Sequence, residues 1–258
     1  TSPVSYKHWF DSKTKMQQAL VKGAKNMVRV AVELYQMEKT SGRYMHLDVE
    51  PEPDGFLENT PEVLDFYSKY LVPEAIEAFT EFQMTKEQAS ELLKRYITVC
   101  YDVCHFALAY EAPNLTFEKL KEAKIKIGKI QVSAALKIMY DHEKADEIWN
   151  TLAQFNEPVY LHQVTELVNG KVKTYNDLPM VLERKAPFTE LRSHFHVPIF
   201  LKDYGLLHST QDQIEGVLAY LENHLVSHHI EVETYTWDVL PNDLKLPITE
   251  SIARELNW

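Results

Sequence analysis

The sequence predicts an α/β fold in which parallel strands alternate with covering helices. Short apolar or β-branched runs recur between segments of helical period, with proline where the first of them stops. Carboxylates and imidazoles gather at the predicted carboxyl ends of those runs, where parallel α/β folds place their working residues.

A long helix is expected from Asp11 to about Glu38, with Met16, Ala19, Leu20, Ala24, Met27, Val28, Ala31 and Leu34 spaced along one face. Ser41-Gly42 should stop it. Tyr44 to Glu50 reads as a strand released by Pro51 and Pro53, neither of which donates to a ladder. Asn59-Thr60-Pro61-Glu62 starts a helix, and Thr85 with Gln88 has capping-box spacing before another. Tyr96 to Asp102 is a buried strand, Thr116 caps a helix, Ile125 to Ser133 is strand-like, and Ala145 to Gln154 is helical. Asn169-Gly170, flanked by polar-alternating runs, predicts a solvent-facing hairpin insertion near 160–177. Glu190 to Phe200 and His229 to Tyr235 are strands. Ser209 to about His224 and Ile248 to Trp258 are helices.

Five strands of barrel type result, near 44–50, 96–102, 127–133, 190–200 and 229–235, whereas a closed (β/α)8 barrel needs eight. The chain is thus either an open five-stranded sheet or about the last five βα units of a TIM-type barrel, the first three being absent. The opening helix favours the barrel. No linker interrupts 1–258, so one domain is expected. A barrel short of three strands exposes two long strand edges, so a partner or a further N-terminal segment should cover them.

With 38 acidic and 27 basic side chains the net charge is −11, which argues against the positive footprint that nucleic acid needs. No apolar run is long enough to span a bilayer, and the first residues lack the shape of a secretory signal. Two cysteines, Cys100 and Cys104, rule out a disulfide framework and make the cytoplasm the default; four residues apart, they read as packing rather than as a metal chelate.

The strand ends carry Glu50 and Glu52, Asp102 and His105, Gln131 and Ser133, His194 and His196, then Glu231 and Glu233. Residues two apart on a strand face one side, so each such pair aims together. Four of the five strands end in metal-ligand types, which suits Mn²⁺, Zn²⁺, Fe²⁺ or Mg²⁺, with histidine disfavouring Mg²⁺. The ordinary alternatives are a helix cap for Asp102 and core packing for the histidines. A carboxylate in the apolar strand of Glu231 and Glu233 needs a cation, a metal or a proton. Tyr235 and Trp237 beyond that strand are candidates to wall a small ligand.

Tyr101-Asp102-Val103-Cys104-His105 at a strand end resembles the Asp-x-x-His element of the xylose-isomerase-like superfamily. Val49-Glu50-Pro51 and Val232-Glu233-Thr234 resemble its fourth and eighth strand ends. A resemblance over nearly the whole chain is to the EboE-type metabolite-traffic family of bacterial secondary-metabolite clusters. It rests on residues 46–53, 99–105, 129–136, 194–198 and 232–237. The resemblance implies a metal held by Glu50, Asp102 and Glu233. Gln131 stands where the superfamily has a histidine, a departure that His105, His194 and His196 would offset. Glu52, Ser133 and Trp237 complete the expected substrate contacts.

Three functions follow as expectations. The first is a metal-dependent isomerase, epimerase or hydrolase on a small polar metabolite, with Glu50 and Glu233 exchanging a proton across an enediolate. The second is a metabolite-binding or trafficking protein that keeps the pocket without catalysis. The third, an endonuclease IV-like repair enzyme, is opposed by the acidic charge and by Gln131.

Overall fold

The structure, a computed structural model, describes residues 6–234, 237, 240, 242 and 245–258. The chain divides into two compact units. The first comprises residues 1–101, 115–130 and 225–229, and the second residues 102–114, 131–224 and 230–258.

In the first unit, the opening helix Lys13–Ser41 is capped at its start by the Ser12 hydroxyl and ends at Gly42, whose φ of 71° is the left-handed conformation that glycine adopts without strain. Gly23, Ala24, Met27, Val28 and Ala31 form its buried stripe, so four of the residues read along one face lie on the packing face. Asn59 caps Thr60–Phe66 through Glu62 N, and Thr85 with Gln88 makes both halves of the capping box on Lys86–Tyr96. Thr116, expected as a cap, instead lies buried inside the helix Pro113–Glu122, because proline opens that helix three residues earlier.

Ten strands are described. In chain order they are β1 (Leu47–Val49), β2 (Ile97–Asp102), β3 (Ile127–Val132), β4 (Ala134–Met139), β5 (Val164–Val168), β6 (Lys171–Tyr175), β7 (Glu190–Val197), β8 (Asp203–Tyr204), β9 (Leu207–Ser209) and β10 (Ile230–Val232). One sheet has the order β1-β2-β3-β10, with β1 and β2 parallel and in register from Leu47 opposite Ile97 to Val49 opposite Val99. Every residue of β2 is buried, as its unbroken apolar run requires.

The second sheet has the order β6-β5-β7-β4-β9-β8, and each neighbouring pair in it is antiparallel. The run 190–200, read as a further parallel strand, is therefore β7, antiparallel to both β4 and β5. The physical reason is the short connection between β3 and β4. Ser133 alone separates them, and β4 continues as a second strand where the sequence reading had none. Among the described residues the strands thus form a mixed α/β fold with one parallel-paired sheet and one antiparallel sheet.

The hairpin read near 160–177 is β5–β6, with Asn169 and Gly170 at φ values of 50° and 75°, both left-handed as a tight two-residue turn demands. The helix expected from Ser209 is Gln211–Leu221, Ser209 closing β9. The terminal helix is Ile248–Asn257. The last strand is shorter than expected, and Tyr235 lies outside the described residues. No described helix is long and apolar enough to cross a membrane.

Candidate metal centre

The second unit gathers its polar groups where β2 ends. Asp102 is the last residue of β2 and the N-cap of the helix Val103–Leu108. Its Oδ1 accepts from the His105 amide at 3.1 Å and from the Ser133 hydroxyl at 2.8 Å, while Ser133 Oγ accepts in turn from Cys104 N at 2.9 Å. The helix-capping role and the site role therefore use different oxygens. Oδ2 is fully buried and has no hydrogen-bond partner among the described residues. Burial raises the Asp102 pKa, but His105, His196, the Ser133 hydroxyl and the His105 amide together hold it below the ordinary aspartate value. It is a buried carboxylate in its charged form.

Three imidazoles surround this region. His194 and His196, two apart on β7, project to one side with ring centroids 5.3 Å apart, as strand alternation predicts. His105, in the first turn of the short helix, meets His194 edge-on, Nε2 to Nε2 at 3.1 Å. His194 Nδ1 lies 2.8 Å from Gln163 Oε1, and its carbonyl is 3.0 Å from His162 Nδ1. Burial first, then His105, His196 and His162, push the His194 pKa well below the usual histidine range, so the ring is neutral. Its Nδ1–H donates to Gln163, which leaves Nε2 as acceptor and makes His105 the donor between the two rings. His196 Nδ1 is 3.1 Å from the Glu233 carbonyl oxygen, an outer contact that sets that ring's tautomer and orientation.

Asp102, His105 and His196 each present a ligand atom within 4.8 Å of the other two, and all three are buried. Cys104, His194 and His196 likewise present ligand atoms within 4.8 Å of one another, with His194 half-buried. The remaining predicted residues of this unit are close in the fold. Ser133 holds Asp102. Gln131 is buried near the end of β3, and its carbonyl accepts from Ser133 Oγ at 3.4 Å. Glu233 is half-buried just after β10, its amide donating to Val132 O at 3.0 Å. Glu231 faces solvent instead, since β10 exposes Ile230 and Glu231 alike. Trp237 is half-buried, in a stretch whose neighbours lie outside the described residues.

Glu50 and Glu52 belong to the first unit, both half-buried after β1. There Glu52 closes a turn by accepting from Gly55 N at 3.0 Å and donating to Leu57 O at 2.9 Å. The first unit also has a carboxylate–imidazole group of its own. Asp48 Oδ1 accepts from the Thr98 hydroxyl and lies 2.8 Å from His46 Nδ1, packed over Gly128. A Cβ at Gly128 would collide with both Asp48 and Thr98, so glycine is required by close approach.

Cys104 is the residue that the sequence reading passed over. Neither cysteine is in a disulfide and both are buried, but Cys104 stands among donors rather than only in packing. The signal was its place between Asp102 and His105 on one short helical turn.

Comparisons with protein-family models, with curated proteins and with solved structures find no match to this chain.

Proposed function

We propose that this chain binds a divalent metal ion on Asp102, His105 and His196, and that the centre handles a small polar metabolite in the cytoplasm. The carrying observation is Asp102: a charged, fully buried carboxylate with one oxygen lacking any donor among the described residues, beside two imidazoles. Such a charge is costly unless a cation offsets it. A mixed oxygen–nitrogen donor set fits a first-row divalent ion better than Mg²⁺.

When bound, a divalent ion would supply Lewis acidity toward a carbonyl or hydroxyl oxygen of the metabolite. Ser133 holds Asp102 in register, and the Glu233 carbonyl orients His196. The Glu233 carboxylate is the base we assign, taking a proton from the carbon beside a carbonyl and returning it, as an isomerase or epimerase requires. Resemblance to the xylose-isomerase-like superfamily and to the EboE-type family supports this reading. It adds Ser133 and Trp237 as metabolite contacts, and a (β/α)8 barrel as the parent architecture.

Metal analysis of the purified, dialysed protein tests the proposal. A near-stoichiometric transition metal is expected, with affinity falling about 100-fold or more in Asp102→Asn, which keeps the helix cap. Wild-type protein that takes up no metal would sink it.

A second reading, a metabolite carrier without catalysis, is favoured by Gln131, whose amide is a poorer ligand than the expected histidine. It expects ligand retention by protein stripped of metal.

A further inference from the structure

Cys104 is completely shielded from solvent on the same helical turn as His105. Its Sγ and ligand nitrogens of His194 and His196 all lie within 4.8 Å of one another. Two further features bear on what such a set can hold. First, His194 Nδ1 is committed to Gln163 Oε1 at 2.8 Å, which leaves Nε2 as the ligand nitrogen that this ring offers. Second, His196 Nδ1 is committed to the Glu233 carbonyl, so the same ring nitrogen, Nε2, must serve both the Asp102–His105 set and the Cys104–His194 set. One nitrogen ligates one ion. The two sets are therefore alternatives around a single centre, one oxygen-bearing and one sulfur-bearing.

We infer that Cys104 is a metal ligand and that the centre is built for a thiolate-accepting ion of the zinc or cobalt class, with His194 and His196 as its nitrogen donors. The inference rests on the proposed metal centre and names its ligand chemistry. Binding breaks the Sγ–H bond and forms a metal–sulfur bond, and the proton leaves to solvent. A thiolate also explains how the centre would tolerate Gln131: the softer sulfur replaces a missing imidazole for ions that amide oxygen binds poorly.

Cobalt(II) titration of the metal-stripped full chain, followed by absorption, separates the possibilities. The expected result is visible d–d absorption together with a near-ultraviolet sulfur-to-cobalt charge-transfer band. Cys104→Ser should lose the band but keep d–d absorption, with zinc affinity down about 10-fold or more. Cys100→Ser should keep both features. Cobalt bound without the band in the wild type would overturn the Cys104 assignment and leave the Asp102 centre standing. Failure to bind cobalt or zinc at all would remove both. Circular dichroism of each variant confirms that a lost band is not lost folding.

Discussion

Two carboxylates of the second unit, Asp102 at the strand end and Glu255 in the terminal helix, are almost equally closed to solvent, at 0% and 3% exposure. In each, one oxygen accepts a backbone amide and the other is buried. Burial raises both. At Asp102 that push is overcome by His105, His196 and two hydrogen bonds, and the pKa falls below the ordinary value. At Glu255 only the Ile199 amide, the Thr234 hydroxyl and Arg254 oppose it, and the pKa rises to about 7. The difference shows that neighbouring imidazoles, not depth, decide whether a buried carboxylate stays charged. A charged one is poised for a cation, whereas one that can hold a proton serves as a latch to the chain at Ile199.

The largest expected effect tests the latch. A carboxyl whose folded pKa exceeds its unfolded value binds more protons when folded. Its contribution is fully present below about pH 4.5 and is lost as pH rises toward 7. The unfolding free energy from urea titration should therefore decline over that window by on the order of 1 kcal/mol per pH unit, and Glu255→Gln should flatten the slope. An unchanged slope in the variant would erase the contrast with Asp102. Ser133→Ala comes next. It removes a donor to Asp102 and the acceptor of Cys104 N, and should cost about 1–2 kcal/mol in chemical denaturation while weakening metal uptake. Stability loss without weaker uptake would make Ser133 a packing residue only. The smallest effect is Arg254→Ala. Its guanidinium lies over the Phe200 ring at 4.1 Å, so about 0.5–1 kcal/mol should be lost, and the Glu255 titration should move upward.

Much of this was legible in residue order. Asp102 and His105 are three apart because a strand hands over to a helix there, and that spacing is what lets the carboxylate cap the turn bearing the imidazole. His194 and His196 share a face through simple alternation. The caps at Asn59 and Thr85 and the Asn169-Gly170 turn are local chemistry, which a sequence displays directly. The antiparallel sheet was not legible. Ala134-Ala135-Leu136 carries no strong strand preference, and no turn residue announces that the chain resumes as a strand after Ser133. Sheet membership depends on which partner a strand finds, and β7 found β4 and β5. Cys104 was missed for a related reason. A small buried thiol reads as packing until non-local histidines are placed beside it. The two-fold use of Asp102, as cap and as candidate ligand, required knowing which oxygen was taken.

The hairpin β5–β6 leaves β6 at one margin of the six-stranded sheet, with Lys171 and Lys173 turned to solvent along it. An incoming strand from another molecule would have to strip water from those two ammonium groups before it gained any ladder hydrogen bond. That side of the sheet is thereby closed to end-on growth, and self-association through added strands is discouraged by charge rather than by shape.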